Sequence, residues 1–94
     1  MGVTLDGFLR CASEAEAEAA RVRAALPEHV RLTRVEPGCV RFDVLPTDDP
    51  LVWTVSEEFT DPAAFDAHQS RASNSDWAKE TAGIARDYAI KGMP

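Results

Sequence analysis

The stretch VRFDVLPTDDPLVWTVSEEF, from Val40 to Phe59, decides the fold. Val40, Phe42 and Val44 alternate with Arg41, Asp43 and Leu45. After the turn PTDDP the alternation resumes, with Leu51, Trp53, Val55, Glu57 and Phe59 on one face. A period of two residues marks a strand that buries one side. So short a connection joins neighbouring antiparallel strands, and the stretch reads as a hairpin.

Working outward from the hairpin, both flanks start with a helix. On the N-terminal side, Val3, Leu5, Leu9 and Cys11 share one side of a strand. Ser13 and Glu16 then form a capping box. Ala15, Ala19, Val22 and Leu26 follow at helical spacing, and Pro27 interrupts. A proline is tolerated in a first turn, so a second helical segment is expected from there, carrying Val30 and Thr33. Pro37-Gly38 ends it. On the C-terminal side, Asp61-Pro62 caps and opens a helix with Phe65, His68 and Ala72 on adjacent turns. SNSD breaks it, and Ser75 caps a further helix with Trp77, Thr81, Ile84 and Ala85. Arg86 to Lys91 reads as a final strand with Tyr88 and Ile90 on one face. The expected order is β-α-β-β-α-β with both helical regions split. That is the α+β, ferredoxin-like arrangement, an antiparallel sheet with helices on one face. The other face carries Phe8, Leu45 and Val52, which a lone copy would leave wet. A homodimer through sheet faces would cover them.

Ninety-four residues suit one domain, spanning 1–94. A chain of this size buries only about 60–65% of its unfolded surface, so pairing with a second copy would add core. Charged residues make up 28% and the formal net charge is −6. An acidic chain without a Lys/Arg cluster is a poor match for phosphate backbones or anionic membranes, so neither nucleic acid nor membrane is expected as a partner. Cys11 and Cys39 lack CxxC spacing and read as free thiols of a reducing compartment. The first residues lack a basic segment followed by an apolar one, and no apolar run approaches the ~20 residues of a membrane span. A cytoplasmic location is the expectation. No metal-ligand cluster and no glycine-rich phosphate loop is visible.

LTRVEPGCVRFDV followed by VSEEFTDPAAFDAH resembles the antibiotic biosynthesis monooxygenase (ABM) domain, a family that also includes proteins described as quinol monooxygenases. The matching positions are Leu32-Thr33, Glu36-Pro37-Gly38-Cys39, Phe42, Glu57, Phe59, Asp61, Phe65, His68 and Ser75-Asp76-Trp77. Each motif alone is weak; their order and spacing together are more specific, and they cover nearly the whole chain. The resemblance implies a dimeric α+β barrel with two sheets facing each other and a pocket between sheet and helices in each subunit. It also implies a choice of chemistries. Some members oxygenate anthrones or hydroquinones with dioxygen and no metal or flavin, others degrade haem, and one branch processes a quorum-sensing sugar derivative. Haem-degrading members use a ligand histidine in the last helix, and SDWAKETAGIAR contains none.

His68 is the first catalytic candidate, since a base that titrates near neutrality suits removal of a substrate proton. Its plainer role is a helix-to-strand hydrogen bond. Glu57 interrupts an apolar strand face, and a buried carboxylate there would be a base of raised pKa or an orienting partner for His68. Strand-end carboxylates are usually solvated or paired, which favours a surface Glu57 beside an arginine. Trp53, Trp77, Tyr88, Phe42 and Phe65 are candidates for binding a flat aromatic or apolar substrate, and each also suits the core. His29, after Pro27, is expected to be exposed. Arg34, Arg71 and Arg86 read as solvated or salt-bridged, and Cys39 as a buried thiol.

These readings combine into a monooxygenase that oxidises a quinol-like or polyketide-like aromatic, with dioxygen as co-substrate and no cofactor. The alternatives are a non-oxidative isomerase or degradation enzyme for a small metabolite, and a non-catalytic binding or stress-response barrel.

Overall fold

The computed structural model describes residues 2–12 and 16–94. Its elements are β1 (Val3–Arg10), α1 (Glu16–Arg34), β2 (Cys39–Pro46), β3 (Val52–Phe59), α2 (Pro62–Ser73), α3 (Asp76–Glu80) and β4 (Ala85–Lys91). The four strands form one antiparallel sheet in the order β2-β3-β1-β4. This is the ferredoxin-like α+β fold that the alternation and the helix signals predict. The capping box at Ser13, and Ala15 with it, lie outside the described residues.

The structure departs from the sequence reading in three main places. The first helical region is not split: α1 runs through Pro27 without a break. A proline inside a helix removes one backbone hydrogen bond and crowds the preceding turn. Burial on both sides offsets that, because Ala19 and Val22 before the proline and His29 and Thr33 after it all lie on the buried stripe. The last helix is shorter than expected. It stops at Glu80, where Thr81 is fully buried and its hydroxyl donates to the Trp77 carbonyl at 2.6 Å. Ile84 is buried after the helix has ended, and Ala85 already opens β4. Finally, Val40 does not share the buried face of Phe42 and Val44. A register shift between Cys39 and Arg41 turns it outward.

The buried face of the sheet carries Val3, Leu5, Leu9, Phe42, Val44, Trp53, Val55 and Phe59. They pack against Ala19 and Val22 of α1 and Phe65 of α2. On the opposite face Phe8 and Leu45 are 37% and 56% exposed, while Val52 is half-buried.

Two glycines set the approach of elements that carry the site. Gly38 has a φ of +86°, and a side chain there would lie 2.6 Å from the Ala64 Cβ and 2.8 Å from the Thr60 hydroxyl. The Glu36-Pro37-Gly38 turn therefore packs directly on the start of α2, with Thr60 N–H donating to the Gly38 carbonyl at 2.8 Å. Gly7 lies opposite Tyr88, and a Cβ there would sit 1.9 Å from the Asp87 carbonyl oxygen. Replacing Gly7 by Ala forces β4 away from β1. A loss of about 1–3 kcal/mol is expected, read as a lower urea midpoint.

Candidate active site

His68 is delivered by α2. Asp61 caps that helix, its carboxylate accepting from the Ala64 N–H at 2.8 Å, and Pro62 fills the first helical position. Phe65 and His68 then fall on its buried side. The His68 ring is 3% exposed and stacks on Phe59 at 4.9 Å between ring centres. Its Nδ1 lies 2.9 Å from Glu36 Oε1. A carboxylate can only accept, so Nδ1 carries the proton and Nε2 presents a lone pair. Glu36 is held in turn by Arg71, whose Nε donates to the other carboxylate oxygen while its Nη2 donates to the Thr33 hydroxyl at 2.9 Å. Burial lowers the His68 pKa; the Glu36 carboxylate opposes this and the Arg71 cation adds to it. The ring is a neutral base at pH 7.

Glu57 is not the surface carboxylate paired with an arginine that strand-end statistics favour. It lies on the core face of β3, 6% exposed, and no salt bridge joins it to an arginine among the described residues. Its Oε1 has no hydrogen-bond partner among them and sits 3.9 Å from His68 Nε2. Burial, then the charges of Glu36 and Asp6, push its pKa up to about 7. Glu57 and His68 are thus brought together, but Glu36, not Glu57, makes the hydrogen bond that orients the histidine.

A cavity of about 420 Å³ opens over this pair, a size suited to a small organic molecule. Glu57, His68, Trp77 and Tyr88 all line it, with His29, Arg86 and small residues such as Ala72 and Ala78. Trp53, Phe42 and Phe65 do not. Trp53 is buried in the core between Leu9 and Pro46. Phe65 packs edge-on against Phe59 at 5.8 Å. Phe42 stands behind the site, its ring 5.3 Å from His29 and 5.6 Å from His68.

His29 is a correction to the expectation of exposure. It is 5% exposed and stacks flat on Trp77 at 4.6 Å with 3° between the planes. Its Nδ1 has no hydrogen-bond partner among the described residues. Burial, with the nearby His68, Arg71 and Arg86, lowers its pKa to about 3. A signal for it exists in the sequence. His29 is seven residues after Val22 and four before Thr33, so a helix continuous through Pro27 puts it on the buried stripe. Arg86, expected to be solvated or salt-bridged, instead donates to the Thr81 and Ile84 carbonyls and the Thr81 hydroxyl at 2.7–3.0 Å, which fixes its cation at the cavity rim. Burial pushes the Tyr88 phenol up to about 12, so it remains a donor.

A second cavity of about 450 Å³ shares only His68 with the first. It is lined by Glu36, Arg71 and the Gly38 turn, with the exposed Asp61, Ala63 and Ala67 at its edge. Arg34 lies outside both cavities; it donates to the Phe42 carbonyl and pairs with Asp43 at 3.0 Å. Cys39 is half-buried rather than buried, and burial raises its pKa, which makes it a weak nucleophile. Among the described residues no group of three or more His, Cys, Asp or Glu side chains is placed to hold a metal ion, and no helix is long and apolar enough to cross a membrane.

A family model described as antibiotic biosynthesis monooxygenase matches residues 7–80. The chain belongs to the antibiotic biosynthesis monooxygenase family. Among solved structures, a Nitrosomonas europaea protein assigned to the antibiotic biosynthesis monooxygenases is 28% identical, with a TM-score of 0.68 over 99% of this chain and 98% of that one. A Deinococcus radiodurans protein assigned likewise is 18% identical, with a TM-score of 0.73 over 100% and 93% of the two chains. SnoaB, a cofactor-independent oxygenase from Streptomyces nogalater, is 14% identical, with a TM-score of 0.72 over 99% and 92%. At the last two identities the likeness is one of fold. No curated protein matches the chain.

The raised Glu57 pKa has a consequence for stability. Unfolded, the group titrates near 4.5; folded, near 7. The folded state therefore disfavours the charge, and its stability falls as pH rises from 4.5 to about 7. That gap corresponds to roughly 3 kcal/mol. Glu57→Gln should match the wild type near pH 4.5 in urea denaturation and exceed it by roughly this amount at pH 8.

Proposed function

We propose that this protein is a cofactor-independent monooxygenase that oxidises a quinol-like or polyketide-like aromatic with dioxygen. One observation carries the reading. A buried carboxylate that titrates near 7 faces the lone pair of a neutral histidine, at the floor of a cavity walled by Trp77 and Tyr88. The family supports the same reaction class. The aromatic walls suit a flat ring.

His68 Nε2 and Glu57 Oε1 share the proton that leaves an acidic O–H or C–H of the substrate. The Tyr88 hydroxyl and the Arg86 cation stabilise the anion that remains. That anion gives one electron to dioxygen, and the two radicals combine to form a C–O bond. The peroxide so formed takes back a proton, its O–O bond breaks, and water leaves as a carbonyl forms. One oxygen atom ends in the product and the other in water, with the substrate as the sole reductant. The floor of the cavity is polar, whereas a passive binding barrel would favour an apolar one. A non-oxidative isomerase would use the same acid and base groups without oxygen.

Oxygen uptake by metal- and flavin-free protein, measured with hydroquinones and anthrones, tests this reading. Uptake should depend on the protein, and His68→Gln and Glu57→Gln should each lower kcat/KM by about 10²-fold or more. Full turnover in both variants would remove the pair from the mechanism. No uptake with any substrate would turn the reading toward the isomerase.

The reading includes a homodimer through the open sheet face, supported by the exposed Phe8 and Leu45 on it. Leu45→Asp should shift the protein toward monomer in sedimentation velocity, with the fold retained by circular dichroism.

A further inference from the structure

We propose that His68 and Glu36 form a proton wire joining the ligand cavity to the second cavity. Three observations place the parts. Among the described residues, His68 is the one that lines both of these cavities. Its two ring nitrogens point to different carboxylates, Nε2 to Glu57 at 3.9 Å and Nδ1 to Glu36 at 2.9 Å. Glu57 lines only the first cavity and Glu36 only the second.

A wire has a use because a ligand in the first cavity covers the shorter path. Glu57 is 6% exposed, and the cavity above it is its way to solvent. An aromatic bound there covers that opening. A proton taken from the ligand then has a polar exit through the ring of His68, whose far nitrogen meets Glu36. Arg71 stands at the far end and pairs with the same carboxylate, so a proton that reaches Glu36 is repelled onward to water by the neighbouring cation.

The steps balance. As the substrate is deprotonated, Glu57 Oε1 takes the proton and passes it to His68 Nε2, across a gap that a shift of about 1 Å reduces to hydrogen-bond length. His68 Nδ1 releases its own proton to Glu36, which releases it to water in the second cavity. The ring is left as the Nε2–H tautomer. When the peroxide needs a proton, the traffic reverses. Glu36 returns one to Nδ1, and Nε2 gives its proton toward Glu57 and the reduced oxygen. The second pass restores the starting tautomer, and the net transfer is zero. The groups facing His68 fit this traffic: Glu57 from β3, Glu36 from the turn after α1, Arg71 from α2 and the neutral His29 from α1. Burial raises the pKa of Glu57 and lowers that of His68, so His68 passes its proton on rather than holding it.

Glu36 is a positioning residue in its hydrogen bond and a carrier in this wire, and Glu36→Gln separates the two roles. The glutamine carbonyl still accepts from Nδ1–H, but it cannot take the proton. Glu36→Asp keeps a carboxylate. The first readout is ¹⁵N imidazole NMR of the full chain without ligand. Exchange of the His68 Nδ1 proton with water should slow at least tenfold in Glu36→Gln and recover in Glu36→Asp, with the Nδ1–H tautomer kept in both. The second readout rests on the oxygenase reading. With a hydroquinone or anthrone that is turned over, Glu36→Gln should lower kcat by about tenfold or more, with little change in KM, and raise the solvent deuterium isotope effect. An unchanged exchange rate in Glu36→Gln overturns the wire, whether or not the protein consumes oxygen. So does turnover in Glu36→Gln with a wild-type rate and isotope effect. Slowed exchange in a protein that oxidises nothing leaves the wire standing and removes the oxygenase.

Discussion

The candidate site depends on one constraint, the burial of the Glu57 carboxylate on the core face of β3. Burying a carboxylate without a partner costs several kcal/mol unless it takes up a proton. The protein resolves this locally by raising the pKa of the group to about 7 and by placing a neutral imidazole 3.9 Å away. Among the described residues no arginine pairs with Glu57, which would have held it charged and inert. The Arg71 cation pairs with Glu36 instead. The result is an alternation along one line: a carboxylate of high proton affinity, a neutral ring, a carboxylate paired with a cation.

That line also ties three elements together. Glu36 leaves the end of α1, His68 and Arg71 leave α2, and Glu57 leaves β3. Such a network is stable when each member is satisfied. Here Nδ1 of His68, both Glu36 oxygens and the Thr33 hydroxyl all have partners. Among the described residues, the fully buried side-chain atoms without a partner, Glu57 Oε1 and His29 Nδ1, belong to residues that both line the cavity over His68. Unsatisfied buried polar atoms are rare in folded proteins, and their occurrence in residues lining one cavity fits a site for a polar-edged ligand.

Much of the fold was legible because periodicity reports burial. The hairpin, the Asp61-Pro62 start of α2 and the turn at Pro37-Gly38 each follow from a local rule, and the structure has all three. Pro27 misled for a physical reason. Its local cost is real, but a buried stripe on both sides of it outweighs a single lost hydrogen bond, and that balance is tertiary. The same error hid His29, since a residue at a helix break faces water and a residue in a continuous stripe faces the core.

By itself, the sequence determined the element order, most of the buried strand positions, and the places of Glu57 on β3 and His68 on α2. Those features depend on neighbours in the chain, and neighbours are visible. The tertiary structure decided which partner each candidate has. Glu36 and His68 are thirty-two residues apart, and Glu36 and Arg71 thirty-five. Only the packing of the Gly38 turn on α2 brings them together. Trp53 and Trp77 are equivalent in composition, yet one fills the core and the other walls the cavity. That choice follows from the packing of α3 on α1, where Trp77 stacks on His29, which no local pattern encodes.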